Sequence, residues 1–210
     1  MFKGKQIFDI TRKIVNDMTI WPGDAKVTIW QTSTIKEGSV ANVSRVDMGV
    51  HSGTHMDAPR HFIEGGGDIA SLDIGTLIGR VVIVETEDEA IDETVVSRYD
   101  LESVNAVFFK TRASMRDEKS PFWNEYPAIT EGCAKYLIDR GIRTIGTDYF
   151  SIEYCTDNRF PVHKLLLSNG VAIIENLSLK DIEPVEYDFI CLPLMLEGSD
   201  GSPVRALLFK

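Results

Sequence analysis

Three of the four histidines in this chain lie close together, in the segment from His51 to His61. The spacing H-x-x-x-H-x-D-x-x-x-H combines imidazoles with the carboxylate of Asp57, and these are nitrogen and oxygen donors that zinc and manganese accept. A single histidine on a strand is more often an ordinary hydrogen-bonded residue than a ligand. Three histidines and an aspartate that converge without an ion would be poorly solvated if buried, whereas a metal makes their convergence favourable. The segment therefore predicts a divalent-metal site.

The chain around this segment must bend to bring its donors together. Before His51, apolar residues alternate with polar or small residues at odd positions, which predicts a half-buried strand over Val43–Val50. At about 3.3 Å per residue, an extended chain would place His51 and His55 about 13 Å apart, too far to share one ion. Gly53 tolerates the backbone angles of a bend, and Pro59 prevents a regular helix beyond it. We expect a strand that ends near His51 and opens into a metal-binding turn.

The rest of the chain predicts many short strands and few helices. The clearest helix is capped by Thr130 and ends before Gly141, and a weaker one runs from Asp92 to Arg98. The predicted strands lie near Gln6–Ile10, Lys26–Gln31, Val43–Val50, Arg80–Glu85, Ala106–Lys110, Thr144–Gly146, Val171–Ile174, Phe189–Leu192 and Val204–Phe209. This is a mixed α/β pattern, and periodicity alone does not specify its topology.

Three segments of the chain match the motifs of a known family. The residues from His51 to His61 fit H-x-G-T-H-x-D-x-P-x-H at every fixed position, Trp21–Asp24 reads W-P-G-D, and Ser202–Ala206 reads S-P-V-R-A. The chain thereby resembles the metal-dependent cyclase family, which includes bacterial kynurenine formamidases and isatin hydrolases. The resemblance implies a strand-rich swivelling β/β/α domain spanning residues 1–210, which usually assembles as a homo-oligomer, either a dimer or a tetramer.

The resemblance also implies roles for individual residues. The implied ligands of one or two divalent ions form two overlapping sets: His51, His55 and Asp57 for one ion, and Asp57, His163 and Glu175 for the other. Asp57 and Glu175 would bridge the two ions, with zinc expected and manganese as the alternative. His61 resembles the family's general acid and base, and Trp21 resembles a tryptophan that lines the substrate pocket.

Glu175 has independent support from its position. It directly follows Val171–Ile174, an apolar run short enough to be a buried strand whose end presents a carboxylate. The alternative is a solvated charge at a strand end. The resemblance favours the ligand interpretation.

A site of this kind suits the hydrolysis of an amide. Divalent ions lower the pKa of water and polarise a carbonyl oxygen as Lewis acids. The departing nitrogen also needs a proton, and a histidine such as His61 with a pKa near neutrality can deliver it. The resemblance narrows the substrate to a small formamide or cyclic amide. N-formylkynurenine, cleaved to kynurenine and formate, is the leading substrate, and an isatin-type lactam is the alternative.

Other classes of function find less support. The sequence has no G-x-S-x-G elbow, and none of its cysteines lies beside a histidine, so serine and cysteine nucleophiles are disfavoured. A non-catalytic metal-binding protein is a further alternative. His61 and Trp21 argue for an enzyme, because a purely structural metal site has no use for a spare histidine or an aromatic pocket wall.

The composition and net charge of the chain limit which binding partners and which cellular compartment are expected. The net charge of −10 argues against nucleic acid, whose phosphates require clustered lysine and arginine. No apolar run reaches transmembrane length or resembles a signal peptide, so a membrane partner is not expected. Cys133, Cys155 and Cys191 are odd in number and scattered, which predicts free thiols in a reducing compartment. We expect a cytoplasmic enzyme with a small-molecule substrate.

One segment departs from the kynurenine formamidases. After Gly146-Thr147-Asp148, where those enzymes commonly carry small residues, this chain has Tyr149 and Phe150. The two aromatic side chains either reshape the pocket or pack in the core.

Overall fold

Most strands of the protein belong to one mixed sheet that closes into a barrel. The computed structural model describes residues 4–154 and 159–210. The strands are β1 (Ile7–Asp9), β2 (Thr28–Ser33), β3 (Val43–Asp47), β4 (His55–Asp57), β5 (Ile78–Glu85), β6 (Ala90–Ile91), β7 (Ala106–Lys110), β8 (Ala128–Ile129), β9 (Thr144–Thr147), β10 (Ala172–Glu175), β11 (Glu186–Pro193) and β12 (Gly201–Phe209). Around the barrel the order is β12, β11, β5, β7, β9, β10 and β4, and β4 pairs again with β12. Strand β1 adds to the outer edge of β12.

The central strands of the barrel are buried on both faces. Strands β5, β7, β9 and β10 run parallel to one another, and such strands read as nearly continuous apolar runs. In β5, Val82 and Val84 belong to the core beneath the helices, whereas Val81 and Ile83 belong to the core inside the barrel. Two cores therefore share the same strands, one on each face.

In the part of the chain that the structure describes, three helices cover the outer face of these strands: α1 (Glu93–Val96), α2 (Glu131–Asp139) and α3 (Pro161–Ser168). The side chain of Thr130 caps α2 by accepting a hydrogen bond from the backbone N–H of Cys133, and Gly141 follows the helix with a φ of 76°. The first two helices agree with the sequence prediction, but α3 was not predicted. Among the described residues, no helix is long and apolar enough to cross a membrane.

The strand-rich α/β class expected from the sequence is confirmed, and one strand prediction is wrong. Strand β3 ends at Asp47 instead of near His51, and all five of its residues are exposed instead of half-buried. Among the strands that the structure describes, it pairs with β2 alone, and the two form a separate two-stranded sheet. Alternation marks a strand, but burial of one face depends on what packs against that face. Nothing in the alternation specifies such a cover.

The expected metal-binding turn contains a strand that the sequence did not indicate. The bend is present, because residues 50 and 51 form a turn, residues 52–54 form a bend, and Gly53 has a φ of 66°. Strand β4 follows at once, with only His55, Met56 and Asp57 in it. Pro59 then begins a single 3-10 turn that ends at His61.

The cysteines that the structure describes are free and buried. Burial raises the pKa of the Cys133 thiol to about 12 and raises that of Cys191 further. Both thiols are therefore poor nucleophiles near neutral pH. Cys155 lies outside the described residues.

Strand β9 has no room for a side chain at Gly146. A Cβ there would lie 2.6 Å from both Leu177 Cδ1 and Phe108 Cδ1, and both of those side chains are fully buried. We expect Gly146→Ala to lower the free energy of unfolding by about 1–3 kcal/mol, the usual effect of overpacking, in urea denaturation. Gly49→Ala is the control, because its Cβ would meet only Ser52 Oγ at 3.8 Å. Equal effects in the two variants would contradict tight packing at β9.

Candidate metal centre

The register between β4 and β10 brings three acidic and imidazole side chains to one face of the sheet. Glu175 lies opposite His55, and Ile173 lies opposite Asp57. Residues that face each other across an antiparallel pair share a side of the sheet, as do alternate residues within one strand. His55, Asp57 and Glu175 therefore point outward, while Met56 between them packs in the core inside the barrel. The cluster lies outside the barrel, beneath α3.

His55 sits between the two carboxylates. Its Nε2 is 3.3 Å from Glu175 Oε2 and 3.7 Å from Asp57 Oδ1, and all three side chains are buried. Its Nδ1 is 3.0 Å from the backbone carbonyl oxygen of Gly53. Because a carbonyl oxygen only accepts, Nδ1 carries a hydrogen, and Nε2 is the nitrogen directed at the carboxylates. The turn before β4 thus sets the orientation of this imidazole.

His163 approaches the same carboxylates from α3. Its Nε2 is 3.2 Å from Glu175 Oε1 and 3.7 Å from Asp57 Oδ2, and its Nδ1 contacts Glu153 Oε1 at 2.6 Å. Burial alone would lower the pKa of His163, but the hydrogen bonds with Glu153 and Glu175 raise it to about 10. The helix therefore adds a second imidazole to the cluster formed by the strands.

A second group of side chains lies around His51. In the turn before β4, its Nδ1 is 3.0 Å from Asp57 Oδ1 and its Nε2 is 3.0 Å from Asp200 Oδ2. The His61 ring stacks on the His51 ring with centroids 4.0 Å apart, and His61 Nδ1 is 3.3 Å from Asp200 Oδ2. Asp200 therefore contacts both histidines.

The ligand atoms group differently from the sets that the family resemblance implied. One group within 4.8 Å contains His55, Asp57 and Glu175, and another contains His51, Asp57 and His61. Asp57 belongs to both groups. His61, expected outside the ligand set, stands among possible ligands.

The two stacked histidines have opposite pKa shifts. Burial would lower the pKa of His51, but hydrogen bonds with Asp57 and Asp200 raise it to about 9. Burial lowers the pKa of His61, which outweighs the attraction of Asp57. The pKa of Asp57 lies well below its usual range, because the hydrogen bond and charge of His51 outweigh its burial. Asp57 is therefore ionised and His61 is neutral near pH 7.

The residues present fit a divalent metal ion. Within the part of the chain that the structure describes, the buried oxygen Asp57 Oδ2 has no hydrogen-bond partner. Leaving a buried acceptor unsatisfied costs about 1–3 kcal/mol, and more when it is charged. A cation beside Asp57 removes that penalty, and the surrounding imidazole and carboxylate donors suit zinc or manganese.

A cavity of about 240 Å³ adjoins this cluster. Four aromatic side chains form part of its lining: Trp21, Phe62, Phe150 and Phe160. Trp21 packs edge-on against Phe122, with ring centroids 5.2 Å apart, which holds the indole in place. A cavity of about 150 Å³ suffices for benzene. This cavity therefore has room for one substituted aromatic ring.

The two aromatic residues after Asp148 have different places, one in the core and one at the cavity. Tyr149 is 2% exposed and packs in an aromatic core with Tyr126, whereas Phe150 packs against that core and also lines the cavity. The first residue is structural and the second contributes to the shape of the cavity.

Other residues at the site were missed by the sequence analysis. Asp24 lines the cavity, and its place in the W-P-G-D segment was an available signal. Asp200 lies just before the S-P-V-R-A segment, which was a weaker signal. Glu153 and Phe160 belong to no motif or periodic pattern that we recognised. Their roles become visible only when the segment before α3 is seen against the sheet.

The chain is similar over nearly its whole length to known proteins. A family model, Putative cyclase, matches residues 8–154. The kynurenine formamidase of Bacillus thuringiensis subsp. konkukian is 32% identical over 207 residues, covering 98% of each protein. A solved structure of a potential metal-dependent hydrolase with cyclase activity is 33% identical, with a TM-score of 0.84 and 98% coverage of each chain. An isatin hydrolase bound to the product analogue thioisatinate, 22% identical, has a TM-score of 0.85 over 99% of this chain and 93% of that chain, which shows a shared fold.

Thr54 connects the motif to two neighbouring segments. Its hydroxyl oxygen accepts from the backbone N–H of Arg12 at 2.8 Å and donates to the carbonyl oxygen of Asn176 at 2.7 Å. Asn176 directly follows Glu175 and has a φ of 61°. The buried hydroxyl thus joins the residue before His55 to the residue after Glu175.

We expect Thr54→Val to lower the free energy of unfolding of the metal-free protein by about 1–3 kcal/mol. The isosteric change leaves the backbone N–H of Arg12 and the carbonyl of Asn176 without the partner they share, in a buried place. Urea denaturation measures the loss. The matched control is Thr32→Val, where the lost hydrogen bond to Val43 is exposed, and we expect a change within about 0.5 kcal/mol. A similarly small change at Thr54 would show that its bonds do not stabilise the site.

Proposed function

The chain belongs to the cyclase family, and from that premise we propose that it is a metal-dependent amidohydrolase acting on N-formylkynurenine. The observation that carries the proposal is the convergence of His55, Asp57, His163 and Glu175 beside a cavity with aromatic walls. Relatives 32% identical over 98% of the chain are kynurenine formamidases. The reaction would cleave the C–N bond of a formamide, releasing formate and the aryl amine kynurenine.

The proposed ligands are His55 and Asp57 on β4, Glu175 on β10, His163 on α3, and His51 in the turn before β4. When bound, a divalent ion supplies Lewis acidity and lowers the pKa of water. We propose zinc, with manganese as the alternative, because nitrogen and carboxylate donors suit both. Asp57 lies in both groups of ligand atoms, which supports a shared, bridging role for its carboxylate.

His61 is proposed to move the proton. Its Nδ1 faces Asp200 Oδ2 at 3.3 Å, and because a carboxylate only accepts, Nδ1 carries the hydrogen while Nε2 remains basic. Burial holds the pKa of His61 below its usual value, so the ring is neutral near pH 7 and able to accept a proton. Returned from Nε2, that proton would convert the departing nitrogen into a neutral amine.

The cavity walls are proposed to select a planar substrate. Trp21, Phe150 and Phe160 line the cavity and offer ring faces and edges to an aryl group. The same walls suit the fused ring of an isatin-type lactam. A formamide is preferred because the relatives at 32% identity over the full length are formamidases.

The proposal extends to the assembly and its compartment. We propose that residues 1–210 act as one hydrolase domain in a cytoplasmic homo-oligomer, a dimer or a tetramer. The oligomer finds support in the separate sheet of β2 and β3, where Val43 and Val46 are 49% and 50% exposed. These two side chains lie three residues apart and face opposite sides of the sheet, so each face leaves apolar surface for a second chain to cover.

We expect His55→Ala and His61→Ala to fail in different ways. His55 lies among the buried carboxylates, so its loss should remove bound metal and activity together. His61→Ala should retain metal but lose about 10²- to 10⁴-fold in kcat, the usual contribution of a general acid or base. Elemental analysis and formamide hydrolysis measure the two effects. Loss of metal in His61→Ala would instead make His61 a ligand, as its group with His51 and Asp57 allows.

We expect Trp21→Ala to raise KM for N-formylkynurenine by about 2- to 12-fold, the equivalent of one aromatic stacking contact. Trp21→Phe should raise it less, and the melting temperature of that variant should stay nearly constant. The control is Trp30→Phe, since Trp30 lies on β2 and does not line the cavity. Assays with N-formylkynurenine, an aliphatic formamide and isatin separate the substrates. Faster hydrolysis of isatin would favour the lactam, and equal losses of stability and activity would leave Trp21 a structural residue.

A further inference from the structure

One buried carboxylate beside the metal centre has no role in the reaction proposed above. Glu153 is 3% exposed and lies between the end of β9 and the start of α3. Its carboxylate accepts from the backbone N–H of Val162 at 3.1 Å and from that of His163 at 2.8 Å. The Oε1 atom that accepts from the His163 N–H is also 2.6 Å from the ring Nδ1 of His163. Three donors of one short segment thus converge on a single side chain.

The two backbone contacts replace a helix cap. The first N–H groups of a helix have no partner within the helix, and a polar side chain at the preceding residue usually satisfies them. That residue is Phe160 in α3, which has no side-chain cap and a φ of 47°. Glu153 reaches the same groups from the loop before the helix, nine and ten residues earlier in the chain. Its negative charge also suits the positive end of the helix dipole.

The hydrogen bond between Glu153 and the His163 ring decides which ring nitrogen faces the carboxylates of Asp57 and Glu175. A carboxylate only accepts, so the bond to Glu153 requires the hydrogen on His163 Nδ1. Nε2 is then the nitrogen that faces the cluster, 3.2 Å from Glu175 Oε1 and 3.7 Å from Asp57 Oδ2. While protonated it donates to these carboxylates, and its lone pair becomes available to an ion when that hydrogen is released. Carboxylate partners of this kind fix the tautomer and orientation of metal-binding histidines.

Glu153 is itself held rigidly. Its carbonyl oxygen accepts from the Tyr126 hydroxyl at 2.7 Å. The preceding residue, Ile152, donates its backbone N–H to Glu175 Oε1 at 2.8 Å. Two successive residues therefore contact two of the proposed ligands, one holding Glu175 and the other holding His163.

We propose that Glu153 is a positioning residue of the metal centre, which aims the Nε2 lone pair of His163 at the ion and thereby sets metal affinity. Glu153 does not line the cavity proposed for the substrate. The inference rests on the proposed metal-dependent function. A helix cap alone would stabilise the protein without changing its affinity for metal, so the two roles are separable.

The test measures zinc affinity in the full-length chain by competition with a chromogenic chelator. Glu153→Gln keeps the size of the side chain but removes its charge and one of its acceptor oxygens. We expect zinc affinity to fall about 10- to 100-fold, the usual effect of removing such a partner. The visible absorption of the cobalt-substituted protein should change as well, because His163 loses its fixed orientation.

The matched control is Thr130→Ala, which removes the cap of α2 away from the cluster. We expect it to lower the melting temperature by about 2–4 °C and to leave zinc affinity within about twofold. If Glu153→Gln has the same zinc affinity and cobalt absorption as the wild type, the inference is wrong and Glu153 serves only as a helix cap. If Glu153→Gln does not fold, zinc affinity and cobalt absorption are measured in Glu153→Asp, which retains the charge but is shorter. The same two outcomes then support or overturn the inference. Absence of zinc binding by the wild-type chain would instead contradict the proposed function.

Discussion

Two buried carboxylates side by side are the constraint on which the rest of the site depends. Asp57 and Glu175 are both at most 4% exposed, and their like charges raise each other's energy in a medium that water does not screen. Charges so buried persist only when they are paired. Three imidazoles, those of His51, His55 and His163, contact the pair, and one oxygen of Asp57 is still left without a hydrogen bond. The protein's own groups therefore compensate the two buried negative charges only in part, and a bound cation would complete that compensation.

The barrel makes this arrangement possible because each strand has two different faces. Met56 and Ile174 fill the interior of the barrel, so the strands that carry the carboxylates stay anchored by apolar packing. On the outer face, helix α3 excludes water with Val162, Leu166 and Leu167 and brings His163 over the carboxylates. The stability of the barrel and the polarity of the site therefore come from alternate residues of the same strands.

The segment after β9 links the metal centre to the cavity wall. At its start, buried Asp148 accepts hydrogen bonds from the backbone and side chain of Thr111 and from Ser114. At its end, Glu153 holds α3, and between them Phe150 faces the cavity. Substrate shape and metal geometry are thus set by one segment that is anchored at both ends.

The sequence alone predicted the metal-binding segment, the bend at Gly53, the helix capped by Thr130, the apolar core strands and the strand-rich α/β class, because spacing, turn residues and periodicity are local properties. The resemblance added His163 and Glu175. Only the tertiary structure decided the exposure of β3, the presence of helix α3, the grouping of His61 with His51, and the roles of Glu153 and Asp200. Glu153 lies ten residues from His163, and Asp200 lies far beyond His61 in the chain. No local pattern encodes such contacts, since they form only when barrel closure and strand register bring distant residues together.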